Sequence, residues 1–134
     1  MFKLIKILNS GANVPEPIKL AKIELEEYPD GTPLTVSDGK ITPCGATETP
    51  THITLGNASA GNNFAYCAAI SGDMIFETEI SADPTAVTAG TKVTLGLNAS
   101  SLPVSVTATA ASGVATVIDT LGAKKAGDKV LVKF

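Results

Sequence analysis

Glycine and proline punctuate this chain at short, regular intervals, and that spacing decides what it can become. With twelve glycines and eight prolines, a sustained run of backbone hydrogen bonds from residue i to i−4 is broken before a long helix can propagate. The segments between breaks alternate apolar and polar residues with a period of two, the signature of half-buried strands. Ile18, Leu20 and then Ile23, Leu25 alternate with a phase slip at Ala21-Lys22, which predicts a bulged strand from Ile18 to Tyr28. Asp30-Gly31 ends it. Asp38-Gly39 lies between Leu34-Thr35-Val36 and Ile41 and predicts a type I′ hairpin, whose two central residues need positive φ.

Further on, Thr51 to Leu55 reads as a strand and 56–63 as a small polar loop. A single short helix near Ala58 to Ala65 is disfavoured. Phe64 to Ile70 is apolar enough to be a strand buried on both faces. Met74, Phe76, Thr78 and Ile80 set one apolar face against acidic neighbours until Asp83-Pro84 stops the run. Val93, Leu95 and Leu97 form the next alternation, and Val104, Val106 and Ala108 another. Ser112-Gly113 before Val114 to Ile118 suggests a second hairpin. Val130, Val132 and Phe134 close the chain facing one way between Lys129 and Lys133. About eight to ten short strands at this spacing predict an all-β fold, a small sandwich or barrel of short antiparallel strands.

Composition narrows the function classes. All ten basic residues are lysines and the formal net charge is −3, so the arginine fork that reads phosphate and guanine is missing and nucleic acid is not an expected partner. No run approaches the ~18 apolar residues of a membrane span. Lys6 interrupts the early apolar stretch and so argues against a signal peptide. Cys44 and Cys67 could pair, but two cysteines in such a domain read first as buried small hydrophobes in a reducing cytoplasm.

No constellation for catalysis stands out. His52 is the only histidine, and no Gly-x-Ser-x-Gly elbow, Walker loop or Gly-x-Gly-x-x-Gly accompanies it. Glu24, Glu26 and Glu27 read as a solvated edge rather than a cation site. The scarcity of aromatics argues against a sugar-stacking cleft. Asn57-Ala58-Ser59 and Asn98-Ala99-Ser100 match the glycosylation pattern, which is common by chance. The expectation is a protein that is not an enzyme and needs no cofactor or metal.

The first 16 residues stand apart from the single β domain expected over 17–134. Phe2, Leu4, Ile5 and Ile7 are followed by a polar stretch and Pro15-Glu16-Pro17. Two placements are open. The stretch is either an extended N-terminal arm and linker that adds to a partner's surface, or an ordinary strand of the chain's own sheet. Buried at about 1.5–3 kcal/mol each, those four side chains are the candidate protein interface.

The runs Asp30-Gly31-Thr32-Pro33-Leu34, Asp38-Gly39-Lys40-Ile41-Thr42-Pro43 and Thr49-Pro50-Thr51-His52-Ile53 resemble the head decoration (capsid cement) proteins of tailed bacteriophages. The closing strands from Gly90 to Phe134 are similar as well. The resemblance implies a virion structural protein, made in the host cytoplasm. It would sit on the capsid surface, bind the major capsid protein, and act as a homo-oligomer, with a trimer as first expectation. An Ig-like extracellular binding or adhesion module is the alternative, suggested by the Thr/Val/Ala-rich segment from Thr88 to Phe134.

Overall fold

A computed structural model describes residues 1–8, 15–24 and 26–134. The described residues form twelve short strands and no helix. Strand β1 (Lys3–Ile7) leads into β2 (Ile18–Lys22), β3 (Pro33–Ser37), β4 (Lys40–Pro43), β5 (His52–Thr54) and β6 (Phe64–Ala69). Then follow β7 (Met74–Glu79), β8 (Lys92–Val93), β9 (Leu95–Leu97), β10 (Pro103–Val106), β11 (Ala115–Asp119) and β12 (Lys129–Lys133).

Five strands close a small barrel in the order β2-β4-β3-β5-β6. Its ladders are antiparallel except that β2 runs parallel to β4, pairing Ala21 with Lys40 and Lys22 with Ile41. The Asp38-Gly39 hairpin joins β3 to β4 as expected, with Asp38 at φ 50° and Gly39 at 74°. So few strands enclose little space. Leu34, Ile41, Ala65 and Cys67 fill it, with Tyr28 and Ala58 at one end.

A second sheet has the order β1-β7-β12-β11-β8. The alternation in 74–80 puts Met74, Phe76, Thr78 and Ile80 inside, and Val130 and Val132 join them from β12. The larger apolar core under this sheet extends to Cys44, Ile53 and Ala68 of the barrel segment. Ile53 and Ala68 are cross-strand partners on the barrel's outer wall, whereas Cys67, one residue earlier, faces the barrel interior. One wall therefore serves two cores.

Four details differ from the sequence reading. The strand beginning at Ile18 ends at Lys22, at the phase slip, and the buried Lys22 continues the inward face of Ile18 and Leu20. The alternation at 93–97 is divided: β8 joins β11 while β9 pairs with β10 in a separate ribbon. Ser112 has positive φ, 57°, but Ser112-Gly113 joins no hairpin, since β10 pairs with β9 and β11 with β12 and β8. Finally, β6 is not buried on both faces, for Phe64 and Tyr66 remain 44% and 57% exposed. A single-layered barrel wall meets water wherever the second sheet does not cover it.

Candidate functional site

The four residues expected at an interface do not act together. β1 pairs antiparallel with β7 of its own chain, Leu4 opposite Phe76 and Ile7 opposite Met74. Phe2 is 3% exposed, and its ring lies 5.5 Å from that of Phe134, which is 5.4 Å from Phe76. Leu4 and Ile7 pack against the same core. Ile5 alone points out, 47% exposed, where the register shifts between Leu4 and Lys6. Of the two placements, the structure takes the own-sheet strand, so residues 1–8 are not an extended arm. The physical reason is that β7 would otherwise present an open edge and a gap beside Phe76. The bulge and the exposed Lys3 and Lys6 then blunt the new edge. The linker reading of 9–14 lies outside the described residues.

Both cysteines are packed into the apolar cores. Burial, with Glu48 adding its charge, pushes the Cys44 thiol up to about 12, and burial raises Cys67 as well. Both thiols are free, in different core clusters, and a thiol held protonated is a poor nucleophile. His52 is half-buried on β5 with Nδ1 2.9 Å from Thr51 Oγ1, and burial lowers its pKa. Among the described residues, no three His, Cys, Asp or Glu side chains converge as metal ligands would.

The barrel has two unlike mouths. Lys22 plugs one: it is 4% exposed, and its Nζ donates to Glu26 O at 2.5 Å and Ser59 O at 3.2 Å. The ammonium sits 4.6 Å over the Tyr28 ring, and desolvation lowers its pKa despite the nearby glutamates. Tyr28 Oη donates to Glu24 Oε2 at 2.6 Å, and Thr42 Oγ1 donates to Glu24 Oε1 at 3.1 Å. Burial first, then Glu24, raises the Tyr28 pKa. A cleft of about 250 Å3 beside this network is lined by Glu24, Glu26, Thr42 and Ser100 to Leu102. Glu24 is thus a structural acceptor, a role that sequence spacing alone did not show.

At the other mouth, Ile18 stands opposite Cys67 and Val36 opposite Ile41. Directly opposite residues share a face, so both point along the barrel interior. They lie at strand ends and stay 40% and 41% exposed. Leu20, half-buried, continues the apolar rim.

A third surface is the outer face of β4, β2 and β6. Register places Lys40 beside Ala21 and Ala21 opposite Phe64, with Lys19 opposite Tyr66. Lys19 Nζ lies 4.8 Å over the Phe64 ring. A hollow of about 240 Å3 runs from these rings to Leu55, Asn57 and Asn62. Asn57 Oδ1 accepts from Asp30 N at 2.8 Å, and Asn62 Oδ1 accepts from Phe64 N at 3.2 Å. The sequence matches no protein-family model and no curated protein.

Proposed function

We propose that this chain is a non-catalytic structural protein that decorates the outer surface of a tailed-phage head and stabilises contacts between capsid subunits. The observation that carries the reading is the apolar barrel mouth, where Ile18, Leu20 and Val36 offer side chains to a partner beside a rigid hairpin. The anchor is therefore the mouth rather than the first eight residues, which support the chain's own core. The thiols are compatible with the same reading, since both are packed in the cores. Ile18 and Val36 are only 40% and 41% exposed, so covering what remains contributes about 1–2.5 kcal/mol before ordering costs. A homo-oligomer, trimeric in the first instance, multiplies such a modest contact through avidity. An extracellular adhesion module would be marked by a Cys44–Cys67 bridge, and the free thiols favour the decoration reading instead.

The test is cryo-electron microscopy of heads from the phage that encodes the chain, with wild-type protein or the Ile18→Lys/Val36→Asp double variant. Wild-type density at regular lattice positions, lost in a variant that keeps its circular dichroism, is the expected result. Bare shells with wild-type protein, or full occupancy by the variant, overturn the proposal.

A further inference from the structure

We propose that the outer face of β4, β2 and β6 binds a carboxylate-bearing sugar, such as a uronic or sialic acid unit. The chain holds only four phenylalanines and two tyrosines. Phe2, Phe76 and Tyr28 are buried and Phe134 packs on the core. The remaining two, Phe64 and Tyr66, stand two residues apart on one strand face, 44% and 57% exposed. Residues i and i+2 of a strand are about 7 Å apart, so the two rings share one patch of the face, Tyr66 open to water and Phe64 with the Lys19 ammonium 4.8 Å over its ring. Exposed aromatic area is costly in water, and the faces of such rings suit the apolar C–H face of a sugar.

The polar groups around the patch choose the ligand further. Lys19 and Lys40 are exposed on this face, although the chain carries a net charge of −3. Glu26 and Glu27 lie in the segment beyond the Lys22 end of β2, and the Glu24 carboxylate is held by Tyr28 and Thr42. Of the residues that line the hollow Lys19 is the charged one, and the nearby Asp30 carboxylate is engaged by Gly56 N, so the ammonium favours an anionic ligand. Asn57 and Asn62 each spend the carboxamide oxygen on a backbone N–H. That fixes the flip, and among the described residues each NH2 group is left to donate to hydroxyl or carboxylate oxygens.

The hollow of about 240 Å3 is smaller than the roughly 300–1,000 Å3 typical of drug-sized pockets and accommodates one ring of a chain that continues into solvent. An acidic peptide is the competing ligand. Peptides commonly bind by adding a strand, but β6 is already paired on both sides, with β2 and β5, so no backbone edge is open here. Side-chain recognition of a rigid ring is what remains. The site is distinct from the apolar mouth and does not depend on the shell-docking proposal.

The experiment is a two-dimensional amide NMR titration of the full chain with trigalacturonate. Maltotriose serves as the neutral control and hexaglutamate as the peptide control. Expected are shifts confined to residues around 19–21 and 55–66, with a Kd in the millimolar range, about fivefold or more weaker in Tyr66→Ala and in Lys19→Gln. Both side chains are exposed, so unchanged melting verifies the fold of the variants. No saturable shift by about 10 mM, shifts located elsewhere, or undiminished binding by Tyr66→Ala overturns the site. Equal affinity for maltotriose overturns the anionic assignment, and tighter binding of hexaglutamate reassigns the face to an acidic polypeptide. Shell occupancy of Tyr66→Ala, measured in parallel, stays at the wild-type level if the two surfaces are separate.

Discussion

Replacing Phe2 by alanine tests whether the first strand is structure or tether. The side chain is 3% exposed and completes a row of rings with Phe134 and Phe76. Truncating a buried phenylalanine costs about 3–5 kcal/mol through lost transfer energy and the cavity left behind, a large share of a typical domain's stability. For 134 residues, an unfolding entropy of about 2.1 cal/mol/K per residue converts that loss into a melting shift of about 11–18 °C. Ile5→Ala is the internal control. It lies in β1, three residues beyond Phe2, but its side chain is 47% exposed at the bulge, so its cost should stay within about 0.5 kcal/mol. Differential scanning calorimetry of the full chain and both variants reads the contrast directly. A Phe2→Ala protein melting within about 2 °C of wild type, or equal losses at both positions, would refute the own-sheet placement and restore a loose arm.

Three other perturbations are as direct. At Gly31, φ is +77° and an added Cβ would lie 2.1 Å from the Phe2 carbonyl oxygen, whereas Gly39, at +74°, has open space around it. Gly39→Val should therefore cost roughly 1–2 kcal/mol of backbone strain and Gly31→Ala distinctly more; urea midpoints in the reverse order would disprove the contact. Thr78 is fully buried in the apolar face of β7, and its Oγ1 has no hydrogen-bond partner among the described residues. Thr78→Val removes an unsatisfied hydroxyl at similar shape, so stability should hold or rise by up to about 1–2 kcal/mol, and a marked loss would reveal a hidden partner. For Cys44, burial raises the folded-state pKa from 9.0 to about 12. The folded chain keeps the thiol proton that the unfolded chain gives up. The thiol's contribution is therefore whole below about pH 9 and is lost as pH rises toward 12, with a slope approaching about 1.4 kcal/mol per pH unit. Cys67 and Tyr28 act in the same direction and Lys22 in the opposite one, so the comparison must be with Cys44→Ala. Urea unfolding from about pH 8 to about pH 11 should show a flatter decline in that variant, and parallel curves would contradict the assignment.

Local chemistry made parts of this fold legible. Asp38-Gly39 carries its own turn geometry, since its need for positive φ is met within two residues. The alternation from Met74 to Ile80 likewise names its inner face, because side chains of a strand alternate regardless of what covers them. The same logic correctly gave Val130 and Val132 as core. It could not say that Val93 and Leu95 belong to different sheets, or that a hydrophobic β6 leaves Phe64 and Tyr66 in water. Periodicity reports which residues share a face, but coverage of that face depends on strands distant in sequence.

The candidate surfaces show the same division. Lysine-only basicity, scarce aromatics and the apolar start were open to reading from composition. That Lys22 becomes a plug, that Glu24 serves Tyr28, and that Lys19, Asn62 and Tyr66 meet around one hollow all depend on barrel closure. The amino-acid order alone determined strands, turns and their inner faces, because backbone dihedral limits and period-two alternation act over a few residues. Tertiary structure alone decided the partner of β1, the wall shared by two cores and the side chains left in water, because those follow from which non-local ladders exclude solvent together.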